Sequence, residues 1–219
     1  MTQRSLRHTQ RGFTLVEIAV VLVIIGLLLG GVLKGQELIN SAKVKSLVQE
    51  FNSVSTMIYG YQDRFRFLPG DDPRVADHVG GTKAVGSTGD GRINGAWNSI
   101  TTTDESYVLW QHVRLAGLAS GTTTIGDATS GYPELNVENG RIGVSSENPS
   151  SDSTVKFPAQ FYICSGGLST RFARQIDTTM DDGVTDSGSV RTLDKDGKFA
   201  TLTAKDEGDG ALYTVCAAY

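Results

Sequence analysis

The chain has 219 residues, enough for one domain with a real core plus an appendage, and its 39% hydrophobic and 20% charged residues exclude a wholly disordered polymer. The net charge is −4, and Arg4, Arg7 and Arg11 all precede Phe13 while no acid does, so the remainder is more acidic still and does not suit a nucleic-acid partner. With 26 Gly against 5 Pro, and many Ser, Thr and Asn after residue 80, the larger part reads as a loop-rich domain containing strands.

Residues 1–12 are short, polar and basic, and an apolar run starts directly at Phe13. From Phe13 to Leu33 the only ionisable side chain is Glu17. At about 1.5 Å rise per residue this stretch makes a helix of roughly 30 Å, the thickness of a bilayer's hydrocarbon core. A secretory signal peptide would have a shorter apolar region and a small-x-small exit, and Leu33-Lys34-Gly35-Gln36 offers none. A plain uncleaved anchor gives the lone carboxylate no role. By the positive-inside tendency the arginines hold the N-terminus in the cytoplasm and place everything after Lys34 across the membrane. Cys164 and Cys216 then lie in an oxidising compartment, where one intrachain disulfide is the simplest state and a pair of buried thiols the alternative.

Beyond the apolar run, Val44, Leu47, Val48, Phe51, Val54, Ile58, Tyr61 and Phe65 recur at spacings of three and four, with Lys43, Lys45, Gln49, Glu50, Asn52 and Gln62 on other faces. With no proline before Leu68-Pro69-Gly70, the pattern predicts one helix of about 54 residues, apolar all round in its first half and one-sided in its second. Gly26, Gly30, Gly31 and Gly35 mark close-approach points for neighbouring helices or places where the helix can loosen.

Leu68-Pro69-Gly70-Asp71-Asp72-Pro73 reads as a turn and boundary, followed by a Gly-rich connection over 80–101. Thr102-x-x-Glu105 predicts a capping box opening a helix from Ser106 to Leu115 or Ala116, stopped by Gly117. Strands are expected around Arg141–Val144, Val155–Cys164, Val190–Leu193, Phe199–Thr203 and Ala211–Cys216, with a helical turn over Thr170–Ile176 and a hairpin at Asp196-Gly197.

Gly12-Phe13-Thr14-Leu15-Val16-Glu17 followed by an unbroken apolar run resembles the start of type IV prepilins and the related pseudopilins. The shared features are a basic leader, Gly then Phe at the cut, an acid as the fifth residue after it, and about twenty apolar residues. The resemblance implies cleavage between Gly12 and Phe13 by a membrane prepilin peptidase that also N-methylates Phe13. It further implies extraction from the bacterial inner membrane by an assembly platform, and a helical filament in which the chain contacts itself or other pilins. It divides the chain into a leader (1–12), a transmembrane and filament-core helix (13–34), the amphipathic half of that helix (35–68) and an α+β head (69–219). The head would be an antiparallel sheet packed on the long helix, with a C-terminal loop closed by Cys164–Cys216. Glu17 would pair with the Phe13 amine of a neighbouring subunit, with Thr14 beside it. The family usually carries a proline further along this helix, and Lys34-Gly35 stands there instead. The implied product is a pilus subunit whose head lies in the periplasm and later in an extracellular or periplasmic filament. A type II secretion pseudopilin and a minor tip pilin binding DNA or a surface ligand are the alternatives.

No catalytic constellation is legible. His8 lies in the leader, and His78 and His112 have neither metal-ligand spacing nor a neighbouring nucleophile. Asp177, Asp181, Asp182 and Asp186 are candidate calcium ligands, as in some pseudopilins, against the reading of a solvated loop with a turn at Asp182-Gly183. Asp90-Gly91-Arg92-Ile93-Asn94-Gly95 imitates part of a calcium loop but has Arg92 where an oxygen is needed. Arg64-Phe65-Arg66-Phe67 mixes bases and aromatics as nucleic-acid surfaces do, or simply ends the long helix. No cofactor is expected apart from that calcium.

Overall fold

A computed structural model describes residues 14–87, 89–126 and 132–219. The chain divides into two compact units, 1–42 and 43–219, considered separately. Helix α1 is Leu15–Phe65, so the expected long helix forms. It continues through Gly26, Gly30, Gly31 and Gly35, and a side-chain carbon built on any of them would meet nothing else in the chain. In the first unit its apolar side chains, from Leu15 to Ile39, stand exposed. This is a helix long and apolar enough to cross a membrane.

In the second unit the three-and-four spacing becomes a buried stripe of Val44, Leu47, Phe51, Val54, Ile58 and Tyr61. The stripe shares one core with Ile142, Val144, Ile163, Val215 and Ala217 of the sheet. Helix α1 ends at Phe65, short of the expected stop at Leu68, because Arg66 takes a left-handed conformation (φ 66°). Two short elements follow: α2, Val75–Val79, and α3, Glu105–Leu115.

The five strands are β1 (Glu134–Leu135), β2 (Arg141–Ser145), β3 (Tyr162–Ser169), β4 (Val190–Leu193) and β5 (Leu212–Ala218), with helix α4, Thr170–Met180, between β3 and β4. All pairings are antiparallel, in the order β1-β2-β3-β5-β4. The architecture is therefore α+β, as expected.

Several local expectations fail for identifiable reasons. The strand expected from Val155 begins only at Tyr162, because Pro158 interrupts the run and cannot donate to a ladder. It then continues to Ser169 through a bulge between Ser165 and Leu168, where Gly167 has a positive φ of 73°. The strand expected over Phe199–Thr203 reduces to one bridge, Leu193 to Phe199. The buried Thr185 hydroxyl takes the partner strand's place, donating to the Ala200 carbonyl and accepting from the Leu202 amide, both at 2.8 Å. The capping box at Thr102 does not form: Asp104 is the cap residue of α3, and Glu105 turns away to accept from the backbone and side-chain nitrogens of Asn94, at 2.7 and 3.0 Å. Helix α2 and strand β1, five and two residues long, are too short for a periodic signal.

Leu68-Pro69-Gly70-Asp71-Asp72, read as a boundary, is a buried polar hub. Asp72 is fully buried and takes hydrogen bonds from the Tyr61 hydroxyl (2.8 Å) and the Arg74 amide (2.9 Å), with His78 Nδ1 at 2.6 Å. Asp71 accepts from the Gly89 and Gly91 amides at 2.8 and 2.7 Å, fastening the Gly-rich connection to the end of α1. Gly70 (φ 94°) lies so close to the Glu105 carbonyl that a side chain would collide with it.

Two predictions concern this core. Phe51 is fully buried in the α1 stripe. Phe51→Ala should lower the unfolding free energy of the head by about 3–5 kcal/mol in a denaturant titration. The second prediction is a pH dependence. Burial pushes Glu50, whose Oε1 accepts from the Val137 amide and whose Oε2 is buried without a partner, up to about 7, and burial likewise raises Glu105 to about 7. A raised acid binds its proton more tightly when folded, so its contribution is full below about 4.5 and is lost as pH rises through about 7. His112, whose value burial lowers from 6.5, acts in the opposite direction, losing stability as pH falls below 6.5. The diagnostic is therefore a difference: the stability of Glu50→Gln relative to wild type should increase steadily from pH 4.5 to pH 7.5 in thermal unfolding.

Candidate processing and assembly site

Gly12 and Phe13, the expected cleavage pair, lie outside the described residues, which begin at Thr14. The two residues expected to act in assembly do meet. Glu17 Oε2 accepts from both the amide and the hydroxyl of Thr14, each at 2.8 Å, and Thr14 Oγ1 accepts from the Glu17 amide at 3.3 Å. This is a reciprocal capping box: Thr14 caps α1 and Glu17, three residues on, reaches back to satisfy the cap's own amide. The signal was legible as Thr14-x-x-Glu17, the same spacing that was read at Thr102. It forms here because Thr14 is the partner Glu17 takes among the described residues, whereas Glu105 has Asn94.

The electrostatics follow from position. The first turn of a helix presents unsatisfied amides and a partial positive charge, so a carboxylate there is favoured. Both bonds within the box use Oε2, leaving Oε1 out of the capping pair. Around and beyond Glu17, Leu15, Val16, Ile18, Val20, Val21 and Leu22 are all at least about half exposed, so the described residues provide no cover for this carboxylate.

Cys164 and Cys216 form a disulfide, as expected from their compartment. They are directly opposite one another on β3 and β5, so the bond crosses neighbouring strands rather than tethering a distant loop. With a sequence separation of 52 between the half-cystines it contributes roughly 4 kcal/mol in the chain-entropy account.

The aspartates named as calcium ligands do not assemble into a site. Asp181 Oδ2 is occupied by the Ser189 and Val190 amides, Asp182 Oδ1 by the Val184 amide and Asp186 Oδ2 by the Thr201 hydroxyl. Asp177 is buried and its carboxyl is pushed up to about 6, first by burial and then by Asp182, Asp181 and Asp186. Among the described residues no group of three or more His, Cys, Asp or Glu side chains is placed to hold a metal ion. Asp181 and Asp182 serve the loop's own backbone. Their spacing in sequence resembled a ligand set because turns and ligand loops both favour Asp near Gly.

The Asp90–Gly95 loop is likewise self-occupied, with Asp90 accepting from the Arg92 amide and Arg92 donating to the Ser146 carbonyl. Arg64-Phe65-Arg66-Phe67 closes α1: Arg64 donates to the Ala116 carbonyl, and Phe65 stacks on His78 with centroids 5.1 Å apart. His112 is buried, with Nδ1 accepting from the Gly70 amide and Nε2 facing the Thr82 carbonyl at 2.8 Å, so it is a structural crosslink. What sequence reasoning missed was the Asp71–Asp72 hub, for which the double acid after Pro-Gly was the visible sign.

No curated protein and no solved structure matches the chain. Residues 7–33 match the family model described as the prokaryotic N-terminal methylation motif. That segment contains the Gly12–Phe13 junction, the Thr14–Glu17 capping box and the apolar start of α1, so the chain carries the N-terminal motif that defines type IV prepilin-like proteins, at the head of a helix long and apolar enough to cross a membrane.

Proposed function

We propose that this protein is a structural subunit of a type IV pilus or pilus-like filament. It is cleaved between Gly12 and Phe13, N-methylated on Phe13 by a prepilin peptidase, and assembled with copies of itself or other pilins through α1. The observation that carries this reading is the capped carboxylate at the head of an apolar helix: Glu17 bonded to Thr14 amid exposed aliphatic side chains. A carboxylate carried into hydrocarbon costs several kcal/mol unless it is paired. The capping box supplies part of that pairing within the chain. The cation formed when Phe13 becomes the N-terminus supplies the rest from a neighbouring subunit, at Glu17 Oε1.

The same helix serves two environments. In the inner membrane its aliphatic surface meets lipid, and in the filament it meets other copies of the helix. Gly26, Gly30, Gly31 and Gly35 have open space around them within the chain, as positions of close helix approach require. The head then lies in the periplasm and afterwards in the filament, outside the cell or within the periplasm, where its disulfide is stable. The role is structural rather than enzymatic, and the inner-membrane assembly platform is its machinery.

Glu17 separates processing from assembly. Glu17→Ala should still be cut to a Phe13 N-terminus and remain in the membrane fraction, but sheared filament yield should fall by roughly tenfold or more, since a mismatched buried charge is heavily penalised. Glu17→Gln, which keeps an acceptor for the Thr14 cap and removes the charge, should assemble as poorly as Glu17→Ala. Wild-type filament yield from either variant would overturn the role of the charge, and absence of a mature N-methylated Phe13 peptide in mass spectrometry would overturn the prepilin reading itself.

A further inference from the structure

The sheet has a second face, turned away from the α1 stripe, and it is built differently. Strand alternation puts Gly143, Cys164, Cys216 and Arg191 in one cross-strand row. The disulfide joins Phe157, Tyr162 and Leu193 in a small cluster with Trp97 packed against it. The loop carrying Trp97 is laid across β2 and pinned there. Ser145 Oγ donates to the Gly95 carbonyl (2.7 Å), the Gly95 amide donates to Glu147 (3.0 Å), and Arg141 donates to the carbonyls of Asn98 and Ser99 (2.7 and 3.0 Å).

Two glycines make room for the indole. A side-chain carbon on Gly166 would stand 3.1 Å from Trp97 Cη2, and one on Gly143 would stand 3.3 Å from Trp97 Cε3 and collide with the Trp97 backbone. The benzo ring therefore lies on both glycines. Trp110, the other tryptophan, is buried at 1% exposure, whereas Trp97 is only partly buried. Its remaining surface borders a cleft of about 280 Å³, walled by Asn98, Asn148, Asp194 and Thr214.

Charged side chains around this cleft are engaged within the chain. Asp194 Oδ1 is held by the Asp196 and Lys198 amides, Glu147 Oε1 by the Gly95 amide, and Lys195 Nζ by Asp196. A phosphate would find Lys195 already paired with Asp196. What remains is a fixed aromatic surface beside amide, hydroxyl and backbone groups, in a space the size of a single small ring. Such a surface suits a ligand with an apolar face and a polar rim. We propose that this cleft binds a saccharide, with one pyranose ring lying against Trp97 and its hydroxyls directed to Asn98 and Thr214. The proposal concerns the head alone and does not depend on the filament reading.

The test uses full-length protein in a zwitterionic detergent, since alkyl-glycoside detergents carry the proposed ligand. Methyl α-glucoside, methyl β-galactoside and N-acetylglucosamine are titrated while tryptophan emission is followed, Trp110 being buried and Trp97 the responsive fluorophore. At least one sugar should give a saturable change, and its C–H protons should receive magnetisation from the protein in saturation-transfer NMR. That transfer should be lost in Trp97→Leu, and affinity should fall at least threefold in Asn98→Ala, whose exposed position spares the fold. Circular dichroism of both variants checks folding. No saturable response to any of the three sugars, transfer undiminished in a folded Trp97→Leu and in Asn98→Ala, or a response to tetramethylammonium alone would each overturn the proposal.

Discussion

The head depends on a single apolar stripe. Leu47, Phe51 and Ile58 are fully buried along one side of the outer part of α1, and they bring together strands that are remote in sequence. A five-stranded antiparallel sheet whose edge strands are two and four residues long has little stability by itself, and one of its faces must be covered. The stripe covers it. The order β1-β2-β3-β5-β4 then puts the longest strands, β3 and β5, side by side, and the disulfide crosses between them.

Around this apolar contact, acidic side chains act as internal fasteners rather than as a ligand site. Asp71 and Asp72 tie the end of α1 to the Gly-rich connection, and Asp181 holds the start of β4. Such fasteners suit a loop-rich domain, because an ionised acceptor makes stronger hydrogen bonds to backbone amides than a neutral one does. The acidity that excluded nucleic acid as a partner is thus partly spent inside the fold. Where a carboxyl is buried without enough donors, as at Glu50 and Asp177, its affinity for a proton rises instead.

At the N-terminus the same chemistry serves a different purpose. Glu17 satisfies the first turn of its own helix through Thr14, so the carboxylate is held at a fixed place at the start of α1. A group positioned this way can set the register between helices at little conformational cost, which a freely rotating side chain cannot do. The two proposals therefore rest on separate parts of the chain: the capped start of α1, and a sheet whose outer face presents Trp97.

The sequence by itself determined the features that local pattern controls. The apolar run with its lone Glu17, the stripe at spacings of three and four, the stop near Pro69-Gly70 and the pairing of the two cysteines were all readable, since helix periodicity and chain composition act over a few residues. Only the tertiary structure decided how the polar residues are used. Glu50 meets the Val137 amide across 87 positions, Thr185 replaces a strand beside Ala200 and Leu202, Glu105 leaves its helix cap for Asn94, and Gly143 and Gly166 seat Trp97. A hydrogen bond takes whichever partner the packed core brings within about 3 Å, and no spacing along the chain encodes that choice.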